Sequence, residues 1–256
     1  MIHIQGIAYD DKSSYQKGVK LAPPLIRKAL YSESSNLYAE NGVSVETLDI
    51  VDKGDFDITE YFDIATITQD NSKENVRLFT LGGDHSISYP VIKALNEYLP
   101  QLDILHIDAH ADLYDEFEGD KYSHACPFAR IMEEGLANKL VQVGIRTLSQ
   151  HQRAQAAKFG VDLFEMKEWN ISHLSPFENP VYISLDMDAF DPAYSPGVSH
   201  YEPGGLTSRQ VLDIIQNVSG TIVGADIVEY NPTKDHHDMT AFLAAKMMKE
   251  ILVRMA

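Results

Sequence analysis

With a single cysteine, Cys126, the chain has no second thiol to join, so an internal disulfide is excluded and a reducing compartment suits it. Basic residues are also scarce: 21 Lys and Arg stand against 38 Asp and Glu, a formal net charge of −17. That balance argues against nucleic acid and anionic membrane as partners and favours small cationic molecules. No apolar run reaches the roughly 18 residues that a membrane span needs. The amino terminus, Met1-Ile2-His3-Ile4, lacks the basic region and apolar stretch of a targeting peptide, so a cytoplasmic protein is expected. A phosphate-cradling glycine loop is missing, which leaves nucleotide-cofactor chemistry without support. So are repeats, low-complexity tracts and linkers, and one domain over residues 1–256 is expected.

What is present is alternation of strand and helix signals. Strands are expected at Ile2–Ala8, Val43–Val51, Val76–Leu81, Leu102–Asp108, Leu140–Ile145, Val161–Phe164, Val181–Asp186 and Thr221–Val228. Most are continuous apolar runs, as in a parallel sheet covered on both faces. Between them, Pro23-Pro24 opens an amphipathic stretch through Tyr31, and Pro90 stands at the start of Val91–Leu99. Thr207-Ser208 can cap Arg209–Val218, and Asp238 or Thr240 can cap a last helix running to Met255. The class is α/β.

Three of the apolar runs lead directly into polar clusters. They are Gly82-Gly83-Asp84-His85-Ser86, Asp108-Ala109-His110-Ala111-Asp112 and Asp186-Met187-Asp188. Side chains at the carboxyl ends of parallel strands face the crevice where α/β proteins bind ligands. Any one cluster alone reads as a helix cap or a strand end. Together, His85, Asp108, His110, Asp112, Asp186 and Asp188 would repel one another unless cations held them. Four carboxylates, two imidazoles and no thiolate favour Mn²⁺ over structural Zn²⁺. Water between two such ions yields a nucleophile near neutral pH, so no activated serine or cysteine is required.

The combination GGDHS, DAHAD, SLDMDAFDP and DIVEYNP resembles the ureohydrolase family, the arginases, agmatinases and their relatives, over nearly the full length. Phe117 to His124 (FEGDKYSH) and Gly197 to His200 (GVSH) resemble plant-type arginases more than animal ones. The resemblance implies a three-layer fold, an eight-stranded parallel sheet flanked by helices. It also implies two Mn²⁺ per chain, hydrolysis of a small guanidino substrate to urea and an amine, and assembly as a trimer or hexamer. Residue by residue, it implies His85 and Asp112 on one metal, His110 and Asp188 on the other, and Asp108 and Asp186 bridging both. Asp112 would also take a proton from the bridging hydroxide. His124 would protonate the departing amine, and Glu229 would clamp the guanidinium by paired hydrogen bonds. Asp84 and Asp226 are expected to support ligands rather than bind metal. His106 is expected in the core or behind a ligand, His236 and His237 in solvent, and Cys126 as an inert buried thiol on a helix.

The loop from Leu113 to Tyr122 departs from the animal pattern. It lacks the Ser and Asn arrangement that holds an α-carboxylate there and carries Asp115, Glu116, Glu118 and Asp120 instead. Those charges favour a second cation, so agmatinase-type activity (agmatine to putrescine and urea) is preferred, with arginase as the alternative. Guanidinobutyrase or formiminoglutamase activity would call for a basic residue near the mouth, Lys121 or Arg146. A metal-binding protein without catalysis would have no use for His124 or Glu229.

Overall fold

The computed structural model describes residues 1–72, 75–174 and 176–256. Among these residues the strands in chain order are β1 (Ile2–Ala8), β2 (Ile50–Asp57), β3 (Arg77–Leu81), β4 (Asp103–Ile107), β5 (Lys139–Ile145), β6 (Asp162–Glu165), β7 (Val181–Asp186) and β8 (Ile222–Val228). They form a single sheet in the order β2-β1-β3-β8-β7-β4-β5-β6, and every pairing is parallel. The helices are α1 (Ala22–Leu30), α2 (Asp63–Asn71), α3 (Ser88–Leu95), α4 (Pro127–Glu133), α5 (Gln150–Phe159), α6 (Ser208–Asn217) and α7 (Met239–Met255). Helices α1, α6 and α7 share one apolar cluster with the sheet, built on Ile26, Val211 and Met247. Helices α2 to α5 share the other, built on Ile64, Ile92, Phe128 and Ala156. Both faces are thus covered, which is why the central strands can be apolar on both sides. No helix of the described residues is long and apolar enough to cross a membrane.

Two expectations are corrected. Val43–Val51 is not the second strand: Val45–Thr47 is a 3₁₀ turn capped by Ser44, and the strand runs over Ile50–Asp57. This edge strand has mostly half-buried or exposed side chains, so it needs no apolar run. Its acidic residues serve pairing instead, with Arg27 of α1 donating to Asp52 at 2.7 Å and to Asp55. The last helix is capped by neither Asp238 nor Thr240. Asp238 is left-handed at φ 58 with no capping bond, and the Asp235 carboxylate accepts from the Thr240 and Ala241 amides at 3.0 and 3.1 Å. Thr240 Oγ1 accepts from the Gly197 amide, tying α7 to the loop after β7.

Candidate metal centre and substrate pocket

The four central strands, β3, β8, β7 and β4, deliver their carboxyl ends to one place. After β3 the chain turns through Gly82-Gly83, where a Cβ on Gly83 would lie 1.7 Å from the Tyr9 carbonyl oxygen. Only glycine lets the turn press that closely on the end of β1. Asp84 then accepts from the Ser86 amide at 3.1 Å and from the Lys12 amide at 3.0 Å. Burial, followed by the Glu229 charge, pushes its carboxyl up to about 6. Asp84 therefore pins the loop after β1 to the turn that carries His85, and it lies outside the cage.

His85 is buried, and its two ring nitrogens have opposite tasks. Nε2 lies 2.9 Å from Ser184 Oγ, which donates its own proton to Asp226 at 2.7 Å. Nε2 must then carry the hydrogen, and Nδ1 presents a bare lone pair. That lone pair lies 3.1 Å from Asp108 Oδ2, 3.1 Å from Asp112 Oδ2 and 3.2 Å from Asp186 Oδ2, yet Nδ1 has no properly aimed hydrogen-bond partner. An orphaned buried nitrogen facing three carboxylate oxygens fits a cation between them. Burial lowers the basicity of His85, but the close Asp108, Asp112 and Asp186 carboxylates outweigh it and raise the ring well above its ordinary range, so without a cation their field draws a proton to Nδ1. A bound cation satisfies the same field.

A second grouping adjoins the first. His110 Nδ1 lies 3.1 Å from Asp188 Oδ2 and 3.5 Å from Asp108 Oδ1. Of three candidate metal-holding groups among the described residues, Asp108 belongs to the two at the cage, with His85 and Asp112 in one and His110 and Asp188 in the other, as a bridging carboxylate would; the third is His124, His200 and Glu229. Asp186 approaches the His85 side, while its other oxygen accepts from the Asp188 amide at 2.7 Å. Burial, then Asp188 and Asp108, push Asp186 well above the carboxylate range, and burial raises Asp188 too. Carboxylates crowded this closely stay ionised together only around positive charge. Oxygen-rich donors with two imidazoles suit a hard divalent ion such as Mn²⁺.

Behind the cage, His106 Nε2 donates to Asp108 at 2.7 Å while Gln142 Nε2 donates to its Nδ1 at 2.9 Å. His106 is stacked on Phe128 at 3.8 Å and serves Asp108 from the core. In front lies a cavity of about 210 Å³ whose lining includes His110, Asp112, His124, Asp186, Asp188 and Glu229. His124 sits in a turn ahead of α4, with Nδ1 3.0 Å from Glu229 Oε1 and Nε2 2.8 Å from Ser14 Oγ. Glu229 Oε1 also accepts the His85 amide at 3.0 Å. Asp112 and Glu229 have φ 50 and φ 62, a left-handed backbone that non-glycine residues adopt at some cost, often at functional sites.

A profile described as the arginase family matches residues 1–253. The chain belongs to the arginase family. An arginase of Glycine max is 45% identical over 273 aligned residues, covering 98% of this chain and 78% of its own length. An agmatinase of Bacillus anthracis is 32% identical, covering 98% and 90%. The solved arginase of Medicago truncatula superposes with a TM-score of 0.93 at 42% identity, covering 99% of this chain and 87% of that one. This arginase-family chain is accordingly a ureohydrolase, a hydrolase of guanidino C–N bonds.

The loop after β4 does not offer its acidic side chains to a second cationic group on the substrate, and the expected preference for agmatine is not supported. Asp120 is ion-paired with Lys12 at 2.6 Å, Asp115 is held by Gln155, and none of the four acidic residues lines the cavity. Nor do the two expected basic residues reach it. Arg146 donates to the carbonyls of Asp188 and Glu202 at 2.7 and 2.6 Å, and Lys121 lies over the Tyr122 ring. His236 and His237 are exposed, and Cys126 is buried just ahead of α4 rather than on it. Ser14, Ser184, Thr147, Gln152 and His200 have no motif that marks them as site residues in the sequence, apart from the GVSH wording at His200; the spacing of Ser149 and Gln152 signals only a helix start.

Proposed function

We propose that this ureohydrolase is a binuclear manganese arginase that converts arginine to ornithine and urea. The observation that carries the reading is the His124–Glu229 pair facing the His–Asp cage across one pocket. His85, Asp108, His110, Asp112, Asp186 and Asp188 would hold the two ions. When bound, Mn²⁺ supplies acidified water and stabilises negative charge developing on the substrate carbon's substituents.

The chain's own groups do the rest. Glu229 Oε1 is occupied by His85 and His124, so Oε2 is left to accept from the guanidinium and orient it. Hydrogen bonding and charge from Glu229 overcome burial and push His124 up to about 9, so it carries a proton at neutral pH. As a water oxygen bonds to the guanidinium carbon and the carbon becomes tetrahedral, a proton passes from that oxygen to the Asp112 carboxylate. The C–N bond to the substrate's chain then breaks, and the departing nitrogen takes a proton from His124. Arginine is preferred to agmatine here because the plant arginases are the more similar relatives and the acidic side chains of the loop after β4 do not line the pocket. A single catalytic domain, a cytoplasmic location and self-association belong to the same proposal.

Urea release from arginine, agmatine and guanidinobutyrate by Mn²⁺-loaded protein tests it. Arginine is expected to be hydrolysed best. Glu229→Gln should lower kcat/KM on the order of a hundredfold while bound manganese stays unchanged. No urea from any of the three, or an unchanged Glu229→Gln variant, overturns the reading.

A further inference from the structure

One of the candidate metal-holding groups lies outside the cage. His124, His200 and Glu229 each present a donor atom, and these atoms lie within 4.8 Å of one another. All three residues line the cavity in front of the cage. The cage is rich in oxygen, whereas this group has two imidazoles and one carboxylate. That set is one that catalytic Zn²⁺ sites use, with a fourth position open to water. By the general order of divalent affinities it holds Zn²⁺ more tightly than Mn²⁺.

The segments that carry the donors are tied together by bonds that leave the donors free. Val198 and Tyr230 form an antiparallel bridge, which pairs the segment before His200 with the residue after Glu229. The Ser199 hydroxyl donates to the Gln16 carbonyl at 3.2 Å and accepts from Asn231 Nδ2 at 2.8 Å. The His124 amide donates to the Lys12 carbonyl at 3.2 Å. The loop after β1 thus holds the backbone at both histidines, and its Ser14 hydroxyl meets His124 Nε2 at 2.8 Å. A metal-bound imidazole characteristically donates its other N–H to an acceptor of this kind. His124 Nδ1 already stands 3.0 Å from Glu229 Oε1. Donors on one tetrahedral ion stand roughly 3.4 Å apart, so this edge of the site is nearly at its required spacing. His200 is half-buried, and a turn of its ring closes the set.

We propose that His124, His200 and Glu229 form a third metal site, selective for Zn²⁺, through which that ion inhibits the enzyme in competition with its substrate. Zn²⁺ takes the place of the proton on His124 Nδ1, which passes to solvent, while Nε2–H keeps its bond to Ser14. The ion also covers the Glu229 carboxylate that orients the guanidinium, so ion and substrate exclude each other. The competition rests on the ureohydrolase reading of the pocket; the existence of the site does not.

Counting both metals in holoprotein kept in excess Mn²⁺, titrated with Zn²⁺ and passed through gel filtration tests the site. Two Mn²⁺ and one Zn²⁺ per chain are expected. Loss of the bond behind a ligand costs ~10–100-fold in metal affinity, so calorimetry should show Zn²⁺ weakened roughly tenfold in Ser14→Ala. His200→Ala removes a donor and should weaken it on the order of a hundredfold, with the Mn²⁺ count unchanged as evidence of an intact fold. His236 and His237, exposed with rings 4.3 Å apart, are the rival pair, and replacing both by alanine should leave the third ion in place. At Zn²⁺ ten times its Kd, the apparent KM for arginine should rise about elevenfold with kcat unchanged. Zn²⁺ that replaces Mn²⁺ without adding a third ion, keeps full affinity in His200→Ala, or is lost with the His236–His237 pair overturns the site. Inhibition that excess arginine does not relieve overturns the competition. Absence of urea from wild-type protein would instead overturn the catalytic reading, and the metal count would still decide the site.

Discussion

At the scale of a single residue, His124 shows how two hydrogen bonds set a proton inventory. Ser14 holds one ring nitrogen and Glu229 the other. Burial alone would lower the imidazole, but Glu229 wins and pushes it up to about 9. Because the folded value lies above the ordinary 6.5, the pair stabilises the fold fully below about pH 6.5. That stabilisation is lost as pH rises through about 9. The expected outcome is a fall in Tm between about pH 7 and pH 10 that is steeper in wild type than in His124→Gln, with a lower kcat in the variant. Thermal melts across that range check it, and parallel curves for the two proteins would remove the pair as the cause.

At the scale of an element, the turn after β3 is the tightest joint in the site. Gly83→Ala would drive a Cβ into the Tyr9 backbone, which cannot rotate away as a side chain could. It should lower Tm by roughly 5 °C and reduce activity by displacing His85. An unchanged melt and rate would show that the end of β1 yields freely. The legibility of elements follows the same logic of burial. Strands β3, β4 and β7 could be read because their apolar runs end in polar clusters, and those clusters place the cage. Strand β2 could not, since an exposed edge asks for no apolar pattern. Helix α5, with its run Gln150-His151-Gln152-Arg153, has too few apolar residues to announce itself, although Ser149 and Gln152 carried a capping signature. Consecutive motif residues such as Asp108 and His110 are visible in one dimension. Ser184 reaches His85 across 99 positions, and Ser14 reaches His124 across 110, so only folding brings them into view.

At the scale of the whole molecule, a net charge of −17 surrounds a centre that is itself acidic. Buried carboxylates from β4 and β7 oppose folding when no cation is present, and bound ions turn that repulsion into attraction. Chelation should therefore lower Tm by several degrees, and Mn²⁺ should restore it in proportion to the logarithm of its concentration. Melts at graded free Mn²⁺ check this. A Tm indifferent to chelator would mean that the cage is held without metal.

The supports of the pocket have separate origins along the chain. The cage and the Glu229 clamp hang on four central strands, whereas the pocket wall at Gln152 belongs to the start of one peripheral helix. Divergence can therefore reshape that wall by exchanging a few positions at that helix, leaving the hydrolytic machinery inherited intact.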